Sequence, residues 1–275
     1  MDVFSADWLG ICRRVVSAQR AIFDEVRGIE ERTAYEGVGK GGDRTLVIDR
    51  RCEDVVFAEL EGLADRGASF TAISEERGEV SFGSGGEARV VIDPIDGSLN
   101  ARRTIPSHSL SIAVAAGPSM ADVEFGFVYD FGAGEEFAAR RGAGATLDGE
   151  PVRVAADAEK LELVGIEAAE PGRALDALAM LADSVYRLRV VGSIAITVSY
   201  VAAGRFDGML SLRPCRSVDA AAAQLILREA GGEVAFGEEP AEAVGLGLDA
   251  RFPIFAAAGE SGLGLLRRAQ PAERG

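Results

Sequence analysis

Histidine and cysteine are scarce in this 275-residue chain: His108 is the one histidine, and Cys12, Cys52 and Cys215 lie far apart with no C-x-x-C spacing. That scarcity argues against a Cys/His zinc site and against an even-numbered disulfide framework, so the cysteines are read as reduced thiols. No apolar run approaches the ~18 residues of a membrane-spanning helix. The opening residues Met1-Asp2-Val3-Phe4-Ser5 show no basic region followed by an apolar one, and the expected compartment is the cytoplasm. Positive charge is also in deficit, with 29 Lys and Arg against 44 Asp and Glu and a formal net charge of −15. Such a field repels polyanions and argues against nucleic acid as a partner. It equally repels phosphorylated metabolites unless local cations invert the sign at a site. Internal repeats and low-complexity segments are absent. What remains is a chain of 48% hydrophobic and 27% charged residues, long enough to bury a large core as one domain or two fused lobes.

Periodicity predicts the elements. Trp8, Ile11, Val15, Ala18, Ile22 and Val26 recur at three and four residues, predicting an amphipathic helix from Trp8 to about Glu31, with Trp8 in its packing. A second helix is expected from Asp49 to about Ala64. Between them Gly37-Val38-Gly39-Lys40-Gly41-Gly42 formally fits G-x-G-x-x-G, but no strand precedes it and Asp43-Arg44-Thr45 rather than a helix follows, so it is read as a flexible connection. Short runs rich in Val, Ile and Phe predict strands at Phe70 to Ile73, Ala88 to Ile92, Leu110 to Ala115 and Val123 to Tyr129. After Val154 the pattern alternates: helix Arg173 to Ala182, strand Val185 to Val191, helix Ser193 to Ala203, strand Asp207 to Leu212, helix Val218 to Ala230 closed by Gly231-Gly232, and strand Pro253 to Ala258. Two α/β units joined near residue 155 are expected: residues 1–155 as an α+β lobe with most of the acidic candidates, and 156–275 as an α/β lobe with Asp219.

Carboxylates carry the strongest chemical signal. Asp93-Pro94-Ile95-Asp96-Gly97-Ser98 follows an apolar strand, so two carboxylates and the Ile95 carbonyl arrive at a rigid strand end shaped by Pro and Gly. All-oxygen ligation suits Mg2+. The plainer alternative is a turn whose aspartates satisfy backbone N–H groups. Glu75-Glu76 follows another strand, Asp219 opens a helix, and Asp49 opens the second helix. Each alone has an ordinary explanation as a helix-start or solvated residue. Gathered in one core they repel one another unless divalent cations hold them ionised.

Asp93-Pro94-Ile95-Asp96-Gly97-Ser98 resembles the DPIDGT or DPLDGT signature of the inositol monophosphatase and fructose-1,6-bisphosphatase superfamily, and Glu75-Glu76 is similar to its upstream acidic pair. Val218-Asp219-Ala220-Ala221-Ala222 through Glu229-Ala230-Gly231-Gly232 resembles its second signature, and Gly192-Ser193-Ile194-Ala195 its G-S-x-A helix start. The likeness extends over most of the chain, including Gly126-Phe127-Val128-Tyr129 and Arg141-Gly142-Ala143-Gly144-Ala145. Ser98-Leu99-Asn100-Ala101 through Ile105-Pro106, the Gly37 to Gly41 segment, and Phe206-Asp207 through Leu212-Arg213-Pro214 look most like archaeal-type dual-specificity members. Ser98 stands where Thr is usual, Val218 where many members have Trp, and Ile194 where a small residue is common, which puts specificity in question more than catalysis.

The resemblance implies a five-layer αβαβα sandwich, a homodimer, lithium sensitivity, and a Mg2+-dependent phosphatase of small phosphorylated polyols or sugars, inositol 1-phosphate and fructose 1,6-bisphosphate foremost. It implies that Glu75, Asp93 and the Ile95 carbonyl hold one Mg2+, that Asp93, Asp96 and Asp219 hold a second, and that Glu75 or Glu76 takes part in a weaker third. Ser98, oriented by Asp49, then helps activate water, with Glu75 also at the catalytic centre. Substrate is expected against Asp96, Gly97, Ser98 and the helix start at Gly192, Ser193 and Ile194. Arg189 and Arg213 are the candidates for its remaining groups, and Lys40 for a loop that closes over the metals. His108 is read as a packed residue and Cys215 as a bystander thiol. Three rival readings stay open: a sibling phosphatase of histidinol phosphate or 3′-phosphoadenosine 5′-phosphate, a metal-binding regulatory homologue without activity, and an acidic salt-adapted interaction protein.

Overall fold

Helix α1 (Trp8–Glu25) buries Trp8, Ile11, Cys12, Val15, Val16, Ile22 and Phe23, the stripe that the sequence spacing anticipates. It ends six residues before the expected Glu31, because Val26 leaves the helical region and a separate turn, α2 (Ile29–Arg32), follows. Arg32 accounts for the break: its guanidinium donates to the carbonyls of Phe23 at 3.3 Å, Val26 at 2.6 Å and Ala101 at 2.8 Å, satisfying a helix end that would otherwise be orphaned. Strands β1 (Tyr35–Val38) and β2 (Arg44–Leu46) pair antiparallel before α3 (Val47–Asp65). The computed structural model describes residues 1–33, 35–38, 44–167 and 170–270; of the glycine-rich connection, Gly37 and Val38 belong to β1, while Lys40 lies outside the described residues.

The chain then builds β3 (Phe70–Ser74), β4 (Gly78–Phe82), β5 (Arg89–Asp96), a short α4 (Ser98–Arg102), β6 (Ser109–Ala115), β7 (Val123–Asp130), β8 (Glu135–Arg140), β9 (Gly144–Leu147) and β10 (Glu150–Val152). These strands form one sheet in the order β10-β9-β8-β7-β6-β5-β3-β4, antiparallel except where β3 and β5 run side by side in parallel. The rest comprises β11 (Leu161–Glu167), α5 (Pro171–Leu181), β12 (Val185–Arg189), α6 (Ile194–Ala202), β13 (Gly208–Ser211), α7 (Ser217–Glu229), β14 (Glu233–Ala235), β15 (Phe255–Ala257) and α8 (Glu260–Arg268). Its sheet runs β12-β11-β13-β15-β14, with the first three strands parallel.

Alternation along the strands distributes the core to both sheet faces. Val90 and Ile92 of β5 pack with Trp8, Val15, Phe57 and Leu60 of α1 and α3. Ile73 and Val91 face the other way, into a cluster with Val198 and Ala202 of α6, Ala221 and Leu225 of α7, and Met209 and Ala256 of the second sheet. On that sheet's far side Leu161, Leu210 and Phe255 pack with Ala177 and Leu181 of α5 and Leu263 and Leu266 of α8. The layers are therefore α1/α3, the eight-stranded sheet, α6/α7, the five-stranded sheet and α5/α8, the five-layer αβαβα arrangement expected. Among the described residues no helix is long and apolar enough to cross a membrane.

Candidate functional site

Strand β5 carries both aspartates. The sequence pattern ends this strand at Ile92, whereas pairing continues to Asp96: Asp93 lies opposite Ser111 and Asp96 opposite Ser109, so three steps on β5 match two on β6. Pro94 and Ile95 form the resulting bulge, a position that tolerates Pro's missing N–H inside a sheet. Asp93, two residues beyond Val91, continues the face that looks onto the α6/α7 layer, and Asp219 sits in the first turn of α7. One carboxylate oxygen from each of Asp93, Asp96 and Asp219 lies within 4.8 Å of the others.

Each acid is held by its surroundings. Asp93 Oδ1 accepts the Ile95 N–H at 3.0 Å. Asp96 Oδ2 accepts the Ser193 hydroxyl at 2.5 Å and the Ala195 N–H at 2.7 Å, while Asp219 Oδ2 accepts the Arg216 N–H at 2.9 Å. Glu75 and Glu76 occupy the turn between β3 and β4, which buried Glu53 on α3 anchors by accepting the Ser74 hydroxyl and, at 3.2 Å, the Arg77 N–H. The Glu75 carboxylate is ion-paired with the Arg216 guanidinium. Asp49, in the first turn of α3, is buried, and its Oδ1 has no hydrogen-bond partner among the described residues.

Two adjoining cavities meet at these groups. One of about 350 Å³ is lined by Asp49, Glu75, Glu76, Asp93, Ile95, Ser98 and Arg102 among others. The second, of about 520 Å³, shares Glu75, Asp93, Ile95, Ser98 and Leu99 and adds Asp96, Gly97, Asn100, Glu167, Val190, Gly192, Ile194 and Asp219. Burial, then the neighbouring charges of Asp96, Glu75 and Asp219, raise the Asp93 carboxyl well above its usual range. Asp219 is pushed to about 7 by burial and by Asp96. Asp49 reaches about 7 through burial and the charges of Glu76 and Glu75. Asp96 is raised to about 6 by burial, opposed by its bonds from Ser193 and Ala195. Apart from a cation, this set of acids is costly to keep ionised.

Gly97 and Gly192 close the two sides on each other. Both have positive φ, +86° and +85°, and a Cβ on Gly97 would stand 2.9 Å from the carbonyls of Gly192 and Ser107. Asn100 completes the clamp, donating to the carbonyls of Ser107 and Val191, each at 2.8 Å. Buried Glu167 accepts the Val191 N–H at 3.2 Å, the Gly192 N–H at 2.9 Å and the Thr197 hydroxyl at 2.6 Å. The helix start expected to meet phosphate, at Gly192, Ser193 and Ile194, faces the larger cavity with part of its backbone donors already engaged. Gly192 and Ile194 line the larger cavity, yet the N–H groups of Val191 and Gly192 belong to Glu167 and that of Ala195 to Asp96.

Other expected residues are placed as follows. Ser98 and Asp49 line the same cavity, but no hydrogen bond joins them among the described residues. Neither Arg189 nor Arg213 lines either cavity: Arg189 donates to the Leu188 carbonyl at 2.8 Å and Arg213 pairs with Glu170 at 2.9 Å. His108 packs on Phe131 and Phe23, with its pKa lowered to about 4 by burial, and stands outside the site, consistent with the packed role read from sequence. Cys12, Cys52 and Cys215 are free and buried. Sequence reasoning missed Glu53, Glu167 and Arg216; Arg216 lies three residues before Asp219, but nothing local marks its partner. The second signature's Glu229 proves structural, accepting the N–H groups of Gly142 and Gly144 at 2.8 Å each and so tying the two glycine-rich motifs together.

The donor set fits a hard cation: carboxylate oxygens converge, Asp49 presents an unpartnered buried oxygen, and no His or Cys belongs to the cluster. A five-layer α/β fold with an acidic cleft at the ends of its strands defines the class, a scaffold whose oxygen ligands suit a hard cation. The chain belongs to the inositol monophosphatase family, whose model it matches over residues 11–249, and it is a phosphoric monoester hydrolase of that metal-dependent family. It is 33% identical over 237 residues to a fructose-1,6-bisphosphatase/inositol-1-monophosphatase of Methanothermobacter thermautotrophicus, covering 82% of this chain and 83% of that protein. Nus factor SuhB of Escherichia coli K12 is 33% identical over 218 residues, covering 76% of this chain and 78% of that protein. A crystal structure of an inositol monophosphatase-fructose 1,6-bisphosphatase matches with a TM-score of 0.83 at 25% identity, over 96% of this chain and all of that one.

Proposed function

We propose that this phosphatase hydrolyses inositol 1-phosphate, fructose 1,6-bisphosphate or both, using two Mg2+ ions. The observation that carries the reading is the convergence of Asp93, Asp96 and Asp219 oxygens within 4.8 Å at the meeting point of two cavities. Glu75, Asp93 and the Ile95 carbonyl are assigned to one ion, and Asp93, Asp96 and Asp219 to the other; Glu76 flanks the first. When bound, the ions neutralise phosphoryl oxygens and acidify the attacking water.

The chain's own residues supply position. Asp96 is fixed by Ser193 and Ala195, so its other oxygen points from a locked side chain. Gly97 and Ser98 start α4 where first-turn N–H groups lack partners within the helix, and phosphate is assigned there and against the start of α6 at Gly192, Ser193 and Ile194, which lies on the same cavity. The Ser98 hydroxyl, reachable from the cavity that holds Asp49, is assigned to orient water, with the buried Asp49 as proton acceptor. Ile194 and Val190 shape the wall against the polyol or sugar. Arg189, next to that wall, is the candidate for a distal group; Arg213 must first leave Glu170. The seam between the lobes is placed near residue 155, between the last strand of one sheet and the first of the other.

Turnover compared on inositol 1-phosphate, fructose 1,6-bisphosphate, histidinol phosphate and 3′-phosphoadenosine 5′-phosphate tests the assignment. Hydrolysis of either of the first two at the highest kcat/KM is expected. Preference for either of the last two would replace the substrate class, and silence on all four would favour a regulatory homologue.

A homodimer completes the reading. Leu175 and Met180 on α5, Tyr186 on β12, the end strand of the described sheet, and Val190 just beyond it are exposed apolar side chains, 58–68% accessible. A second copy is the proposed cover. Light scattering is expected to return twice the 28.8 kDa chain mass, and a Tyr186→Glu variant to return it once; monomeric wild-type protein would refute the dimer.

A further inference from the structure

We propose that Arg216 is a built-in counter-cation for Glu75 that competes with the divalent ion and so sets the affinity of the metal site. The inference rests on the metal assignment above and extends it to a residue outside the acidic cluster. Arg216 occupies the N-cap of α7. That position favours Ser, Thr, Asp or Asn, and a cation there faces the positive end of the helix dipole. The local choice is therefore unfavourable, and such violations are expected where a residue serves a site.

The compensation comes from elsewhere in the chain. Arg216 spans two of the proposed ligands: its backbone N–H donates to Asp219 Oδ2 at 2.9 Å, and its guanidinium pairs with Glu75, 141 residues away on the β3–β4 turn. The side chains of the pair are only 19% and 23% exposed, so the interaction is partly shielded from solvent. Asp219 holds the backbone of Arg216 whatever its side chain does. Departure of the guanidinium from Glu75 therefore leaves the α7 start held. An ion that recruits Glu75 must break this pair and then lies close to a like charge, and both effects weaken its binding. The pair also keeps the metal-free cleft from accumulating its full negative charge.

Two roles for Arg216 give opposite signs. A residue that merely props Glu75 into position weakens metal binding when removed, whereas a competitor strengthens it. Titration calorimetry of Mg2+ into the full chain decides between them. Arg216→Gln is expected to bind Mg2+ roughly threefold to tenfold more tightly than wild type, and to melt at lower temperature without metal. Arg216→Ser, which supplies a favoured N-cap side chain and so protects folding, is expected to tighten binding in the same range. In a Glu75→Gln background the same substitutions are expected to tighten binding by a smaller factor than in wild type, because the Glu75 coupling is gone. Unchanged or weaker Mg2+ binding in either folded variant overturns the proposal. Asp93→Asn serves as the separate control: if it binds Mg2+ as wild type does, the metal assignment itself fails, whatever Arg216 shows.

Discussion

Asp93→Asn is expected to lower Mg2+-dependent phosphate release by about a thousandfold, roughly 4 kcal/mol of transition-state stabilisation, while leaving the metal-free protein folded. Asp93 is the acid nearest the centre of the arrangement: buried, adjoining both cavities, and subject to the charges of Asp96, Glu75 and Asp219 together. Replacement of its carboxylate by a carboxamide keeps the shape but removes the charge that both proposed ion positions share. The same change relieves repulsion among the remaining acids, so the variant's metal-free melting temperature is expected to equal or exceed that of wild type. Steady-state phosphate release and thermal melts in EDTA check the two halves separately. Retained activity would dismiss Asp93 as a shared ligand, and collapse of the fold would show that its charge serves the structure instead.

The second large effect is a reversal of the usual pH dependence of stability in the metal-free protein. Asp49 and Asp219 are raised from an ordinary 3.8 to about 7, chiefly by burial, and Glu167 from 4.5 to about 7 for the same reason. Between those limits the folded state holds protons that the unfolded state has released. Stability is then fully present below about pH 4 and is lost as pH rises through about 7. One isolated group displaced by three units corresponds to about 4 kcal/mol. In EDTA the melting temperature is expected to fall on the order of 10 °C between about pH 5 and pH 8. Mg2+, by binding the ionised native state, is expected to flatten or invert that slope. A metal-free melting temperature that rises over this interval would mean that these carboxylates are not withdrawn from water in the folded protein.

Short-range chemistry was legible in the chain; long-range pairing was not. The Asp93 to Ser98 segment announced itself because a run of Val and Ile leads into Asp-Pro-Ile-Asp-Gly, and the structure changes only its local form, extending the strand through a bulge at Pro94 and Ile95. The helices through Asp49, Ser193 and Asp219 followed from apolar spacing, with boundaries shifted by one or two residues. The strand Glu135–Arg140 escaped notice because charged residues at its ends interrupt a short apolar run, and Leu161–Glu167 because one alternating stretch does not identify its two parallel neighbours. The end of α1 depended on Arg32 reaching back to Phe23 and Val26, which no helical period encodes. Arg213 carries the charge that suits a substrate contact and pairs with the exposed Glu170, a partner that no local pattern marks. Glu167 and Arg216, by contrast, had no local mark at all, since their significance lies in partners 24 to 141 residues away.

Charge balance gives the acidic chain its logic. A net charge of −15 and a cleft lined by carboxylates are incompatible with an anionic substrate unless cations intervene, and the proposed ions and the nearby guanidiniums are those cations. The Arg216–Glu75 pair then appears as the metal-free counterpart of the same requirement.

Phosphate release from inositol 1-phosphate and fructose 1,6-bisphosphate, measured side by side in Mg2+ and in EDTA for wild type and Asp93→Asn, tests the central claim most directly. Release by wild type in Mg2+ from at least one of the two is expected, abolished by EDTA and by the substitution. Release that persists in EDTA, or in Asp93→Asn with Mg2+, would contradict that claim.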